Sequence, residues 1–455
     1  MFSVRRIFTY NVVFCTATLI GYGSGYLNGV LAANDFAQRY GVTDTSGNYY
    51  LTSETRSLFS SIFAVGTIIG SGRKGGFLLA GFLYTVGIIL QLIGTVSTAF
   101  IVGRVLLGMA LGIISITTPT YLIESSSGSS RGRLMALYCQ FLTCGNVLAC
   151  GISMGTATIP ESGSWRVTVG FQLFLALVVL SGGIFAPESP LILTKLTRHD
   201  AARQSMSVLR NQELDSLELD VAMQEIRETL SDQTKFGTKH LEECFQGPNL
   251  PRTLLGSTMG FMTIATGVTF WFSYGTTFFA AAGVRNSYLV SLILALVNAI
   301  FTAPSVFFIE KAGSRPCLLV DGVIMGVAQL ATAVLHTVSP GSSASRNCLV
   351  AGSVISIAAY ACTWGSFGEY GLSTWTIGFV VPYIVDPTSG DLGTNIAYLW
   401  TGTVAVSLVW AYLCVPELAD LSKLEVNMLF EQRVPTTRSV RWQQQLRITT
   451  GIRPE

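Results

Sequence analysis

Charge is scarce in this chain. Of its 455 residues, 12% are Asp, Glu, Lys or Arg, while 50% are hydrophobic. A soluble domain carries about 25% charged residues. Too little charge is present here to coat a water-facing surface, so lipid must solvate most of the outside. The net charge of +2 leaves no electrostatic footprint for nucleic acid. Only 3 histidines occur and no Ser/His/Asp grouping stands out. No Gly-Lys-Ser/Thr loop is available for a nucleotide phosphate. Neither an enzyme, nor a cofactor, nor a metal site is expected. Most of the 9 cysteines, among them Cys15, Cys139, Cys144, Cys150, Cys362 and Cys414, sit in apolar runs without metal-ligand spacing. They read as small buried hydrophobes and not as a disulfide frame. Asn-x-Ser/Thr acceptors are missing too, so glycosylation marks no outer face.

What is abundant is long apolar sequence. A membrane span needs about 20 apolar residues. Runs at 7–31, 76–97, 99–123, 134–157, 167–186, 255–281, 287–309, 317–337, 347–367 and 395–415 qualify, and 57–71 and 371–385 are short candidates. The run at 7–31 follows Arg5 and Arg6 and is too long for a signal-peptide core, so it reads as a first span. A polar insertion, 194–252, divides the pattern in two. The expected organisation is an N-terminal six-helix half (1–190), a cytosolic linker (191–252), a C-terminal six-helix half (253–430) and a cytosolic tail (431–455).

Basic residues alternate between loops. Arg5/Arg6, Arg73/Lys74, Arg131/Arg133, the 195–252 loop, Lys311/Arg315 and the 433–453 tail are basic, and the intervening loops are poor in Lys and Arg. By the positive-inside rule both termini face the cytosol. The halves also echo each other. Gly72-Arg73-Lys74 has its counterpart in Gly313-Ser314-Arg315-Pro316, and Pro187-Glu188-Ser189-Pro190 in Pro416-Glu417-Leu418. A parallel repeat of six-helix halves predicts such matched punctuation.

Further segments complete a series: Gly103-Arg104, Pro119-Thr120-Tyr121-Leu122-Ile123-Glu124, Arg131-Gly132-Arg133 with Gln140, Trp165-Arg166 with Gln172, Thr266-Gly267-Val268-Thr269-Phe270, and Tyr274-Gly275-Thr276-Thr277. Their order and spacing over about residues 10–430 resemble the sugar porter family of the major facilitator superfamily, most closely its fungal members. The resemblance implies an all-α membrane protein of the major facilitator fold, two six-helix halves with nominally twelve spans, two of them shortened. It implies a sugar substrate, a plasma-membrane location and a monomer whose other partner is the bilayer.

Arg73, Lys74, Glu124, Arg131, Arg133 and Glu188 fall at basic helix ends. Charges there either pair across helices and gate the site, or, for the basic ones, only anchor the topology. Gln140 and Asn298 match positions where sugar porters bind hydroxyls. An amide offers both donor and acceptor, though a mid-span amide also serves as glue between helices, the role we assign to Gln172. Trp364 and Trp375 suit either stacking on a pyranose face or packing.

Four departures qualify the resemblance. Gly23 stands where proton-coupled members carry an Asp in span one, which leaves Arg104 of span four without its usual ion partner. Thr263, Ile264 and Thr269 occupy places of three span-seven amides. Residues before Gly72 are missing, and so is much of span ten after Phe367, as in a mis-spliced or degenerate gene. The sequence therefore predicts a carrier for a monosaccharide or polyol, with uniport favoured by Gly23. The alternatives are a proton symporter, a non-transporting sensor, or an inactive truncated porter. The tail of about twenty residues after Arg433 weighs against a signalling domain.

Overall fold

The computed structural model describes residues 4–43, 47, 49–66, 73–126, 128–235, 245–247, 249–339, 342–367, 395–418, 421 and 423–450. They form two compact units. The first comprises Met1–Thr238, Phe272–Thr277 and Thr374–Tyr383; the second comprises Lys239–Trp271, Phe278–Ser373 and Ile384–Glu455.

In the first unit, long helices α1 (Val4–Leu31), α4 (Arg73–Ile93), α5 (Ser97–Ser125), α6 (Gly128–Thr156) and α7 (Gly163–Phe185) pack around one another with the shorter α3 (Ser53–Gly66) against α5. A short helix α2 (Asn34–Tyr40) and a two-residue hairpin, β1 (Val42–Thr43) with β2 (Tyr49–Tyr50), join α1 to α3. The polar insertion folds as α8 (Pro190–Lys195), α9 (His199–Arg210) and α10 (Leu217–Lys235). Ala202, Met206, Leu219, Ala222, Met223 and Ile226 give it a small core of its own.

The second unit contains α11 (Asn249–Ala265), the two ends of α12 (Val268–Ala281), α13 (Ser287–Ala312), α14 (Ser314–Val338), α15 (Ser343–Cys362), a 3₁₀ turn at Trp364–Phe367, α16 (Ile396–Cys414), α17 (Lys423–Glu431) and α18 (Ser439–Thr450). Helix α14 packs on both α15 and α16, and α13 packs on α15. Eight stretches are long and apolar enough to cross a membrane among the described residues. Helices α1 and α15 are long enough but fall outside that set, because polar and small residues dilute them. In α1 the dilution has a packing reason. A Cβ on Gly21 would sit 1.8 Å from the Leu142 carbonyl oxygen, and one on Gly145 of α6 would sit 2.1 Å from that of Thr18. The two helices cross backbone to backbone, which only small residues permit.

The run at 255–281, expected as one span, lies within the single apolar stretch Asn249–Ala281, but its helix is interrupted. Helix α11 stops at Ala265 and α12 restarts at Val268 around Gly267, whose φ of +79° is left-handed. A break inside an apolar layer exposes carbonyls that must be satisfied internally. Thr403 donates to the Ala265 carbonyl at 2.5 Å, Gln329 to that of Thr266 at 3.0 Å, and Ser407 to that of Met262 at 3.4 Å. The ring of Trp400 fills the space beside Gly267, 2.5 Å from where a Cβ would stand.

Helix α3, in the place of short span two, has 14 residues, or about 21 Å of helix. Gly72, Glu369, Trp375 and the short span at 371–385 lie outside the described residues.

Candidate functional site

In the first unit a buried polar network surrounds the position of Gly23. A Cβ there would meet the Tyr84 hydroxyl and a Leu111 methyl, each at 2.7 Å. Tyr84 fills this place and donates to the Gln172 side-chain oxygen at 2.6 Å, tying α4 to α7. The Gln172 amide nitrogen has no hydrogen-bond partner among the described residues, although the side chain is fully buried. Arg104, 3% exposed, donates to the Phe59 carbonyl and the Tyr26 hydroxyl, each at 3.0 Å, and lies over the Tyr26 ring. Tyr26 in turn donates to Gln91 at 2.7 Å. These groups place an arginine among neutral acceptors, where the burial cost of its charge is met by hydrogen bonds. Asn28 of α1, 2% exposed, accepts from the backbone of Thr276 at 3.0 Å.

The candidate substrate residues divide between the units. Gln140 is half-buried on α6 in the first unit, its amide nitrogen 3.8 Å from the Cys144 sulfur. In the second unit Asn298 is half-buried on α13. Thr263 and Thr269 are buried on either side of the break at Gly267, and Thr263 returns its hydroxyl to the Met259 carbonyl at 2.9 Å. Trp364 is fully buried, and its ring nitrogen donates to the Leu318 carbonyl at 3.1 Å. Burial and this bond to α14 are what the structure gives Trp364.

The charged helix ends form two matched corners. In the first unit the Glu188 carboxylate accepts from the backbone nitrogen of Lys74 at the start of α4 (3.3 Å) and from that of its neighbour Ser189, just before α8 (3.0 Å). The Ser189 hydroxyl donates to Glu124 at the end of α5, and Tyr121 donates to the Pro187 carbonyl at 2.9 Å. A cavity of about 220 Å³ opens here, lined by Lys74, Glu188, Gln204 and Ser205 among others. In the second unit the Glu417 carboxylate accepts from the backbone of Ser314 (3.1 Å) and Arg315 (3.0 Å) and from the Ser314 hydroxyl (3.0 Å), at the start of α14. Both corners answer the same need. The first N–H groups of a helix lack partners and carry partial positive charge, so a carboxylate there is stabilising. Arg133 is exposed on α6; Arg73 and Arg131 lie in α4 and α6, with side chains outside the described set.

Several residues of these networks were not anticipated from sequence: Tyr84, Gln91, Asn28 and Asp321. For Asp321 a signal was present, an acid inside the apolar run at 317–337. Its carboxylate accepts from the Thr363 hydroxyl at the end of α15.

Comparison with known proteins fixes the family. The model of the sugar (and other) transporter family matches residues 9–368. The chain belongs to that family. The major facilitator-type transporter ecdD of Aspergillus rugulosus is 29% identical over 93% of this chain and 87% of its own length. The high glucose sensor RGT2 of Saccharomyces cerevisiae is also 29% identical, over 94% of this chain but 61% of the sensor's length. Among solved structures, the partially occluded inward-open form of the xylose transporter XylE from E. coli matches with a TM-score of 0.75 at 15% identity, over 90% of this chain and 99% of that one. The fold is therefore that of the major facilitator superfamily, and this member of the sugar (and other) transporter family is a multi-pass membrane protein and not an enzyme.

Proposed function

We propose that this protein carries a monosaccharide or related polyol across the plasma membrane by alternating access and as a monomeric uniporter. The halves would be 1–190 and 253–430, joined by the 191–252 linker. The observation that carries uniport is Gly23. It supplies no titratable group, and Tyr84 occupies the space beside it, hydrogen-bonded to Gln172. A symporter needs an embedded group that changes charge where it senses the substrate.

Gln140 and Asn298 are the proposed hydroxyl-binding amides, with Thr263 and Thr269 beside the helix break and Trp364 as an apolar wall. Arg73, Lys74, Arg104, Glu124, Arg131, Arg133 and Glu188 form the proposed gating set. A sugar is supported by the family's own description and by glucose in the name of a relative. A transporter and a sensor both stand among the relatives, at the same 29% identity, and we take the transporter reading. Counterflow decides between them: proteoliposomes preloaded with unlabelled glucose should take up labelled glucose faster than empty ones. Equal uptake in both would leave a sensor or an inactive porter.

A further inference from the structure

Asp321 stands in the eighth position of α14, a 25-residue helix apolar enough to span the membrane. At about 1.5 Å per residue it lies about 10 Å inside the helix start. An ionisable side chain at such depth is costly and marks a functional site unless a partner is at hand. The partner is a hydroxyl. Thr363, fully buried, donates to the Asp321 carboxylate from the residue that ends α15. The next residue, Trp364, is tied to the same helix through the Leu318 carbonyl. Two adjacent hydrogen bonds thus fasten the end of α15, where it gives way to a 3₁₀ turn, onto α14.

On α14 Cys317 lies one turn before Asp321, and on α15 Cys362 adjoins Thr363. On α14 itself His336 shares a hydrogen bond with Ser345, near the start of α15, at 3.2 Å, and Glu417 caps the other end of α14. Arg315, lower on α14, is engaged by the carbonyls of Tyr412 and Thr436 and lies over the Tyr412 ring. Helix α16 presents Tyr398, bonded to Thr337 at 2.9 Å, the same Tyr412, and Cys414. Helix α13 ends in Lys311, which lies over Phe307.

We propose that Asp321 is a proton-binding site that fastens or releases the end of α15. As a carboxylate it accepts a charge-assisted bond from Thr363. A proton from bulk water adds to one carboxylate oxygen, no other bond breaks, and the Thr363 bond becomes a neutral one. A charge-assisted bond is roughly twice as strong as a neutral one. Protonation therefore loosens the α15 end. The site regulates that end of the helix; Asp321 belongs to the second unit and Gly23 to the first.

The test is hydrogen exchange of the full-length protein in lipid nanodiscs, without sugar, so that failure of the transport proposal would not affect it. Exchange of the segment 357–367, corrected for the intrinsic pH dependence, is compared between about pH 8 and about pH 4. Wild type should open roughly fivefold more at the acid end, the factor separating a neutral from a charge-assisted bond. Asp321→Asn should exchange at the faster rate at both pH values. Thr363→Val should also lose the pH dependence, and decides the matter if Asp321→Asn does not fold. A wild-type segment indifferent to pH would overturn the proposal. So would a variant that keeps the full pH dependence.

Discussion

The carboxylate of Glu417 receives the first two backbone N–H groups of α14, from Ser314 at 3.1 Å and Arg315 at 3.0 Å. Glu188 receives the Lys74 N–H at the start of α4 in the same manner. The echo of Pro-Glu and Gly-Arg-Lys-like punctuation in the sequence is thus one device used twice, an acid after α7 closing the start of α4 in the first unit and an acid after α16 closing the start of α14 in the second.

Removal of this cap has a predictable cost. Loss of a helix cap costs about 0.5–2 kcal/mol. Glu417→Ala should lower the thermal midpoint of the detergent-solubilised protein, and Glu417→Gln should lower it less, because the amide oxygen still accepts. Glu188→Ala should act in parallel on the first unit. Thermal scans in which Gln and Ala are equally destabilising would show that the carboxylate acts in some other way.

The break in the seventh span makes a second prediction. Gly267→Ala would put a methyl into a left-handed residue and into the Trp400 ring. The backbone term alone is about 1–2 kcal/mol. Trimming the ring with Trp400→Leu should recover part of the loss, leaving the backbone term. Strict additivity of the two substitutions would mean that the ring and Gly267 do not couple.

For the proposed hydroxyl contact, Gln140→Ala should raise the half-saturation concentration for glucose by roughly fivefold to tenfold, the loss of one buried hydrogen bond. Cys150→Ala on the same helix should leave it unchanged. Matched half-saturation in wild type and Gln140→Ala, at equal expression, would remove Gln140 from the site.

Topology can be read directly. The alternation of basic loops predicts that both ends lie in the cytosol. An epitope tag after Glu455 should be stained in intact cells only after permeabilisation. Staining of unpermeabilised cells would reverse the assignment.

Much of this was legible in the sequence. The apolar runs at 99–123 and 134–157 anticipate α5 and α6 within a few residues, because hydropathy over a membrane-length window is a strong signal. The paired corners were visible as punctuation. The split at Gly267 was not, since a break inside a buried run changes no hydropathy; the hydroxyls of Thr403 and Ser407 that repair it lie on a distant helix. Nor was the Tyr84–Gln172 pair legible, because the space freed at Gly23 is filled by a residue of another helix. Trp364 shows the limit for aromatics: its spacing fits a wall or a core, and only the bond to Leu318 records its present packing. Asp321 is legible as an acid inside an apolar run, but its partner Thr363 lies on another helix and leaves no local signal.

The account's central claim is facilitated transport without proton coupling, and it is tested most directly in proteoliposomes given labelled glucose with and without an inward proton gradient. The account predicts uptake that stops when inside and outside concentrations are equal, at the same level in both conditions. Accumulation above the external concentration when the gradient is imposed would contradict it, and loss of that accumulation in Glu369→Gln or Asp321→Asn would name the coupling carboxylate.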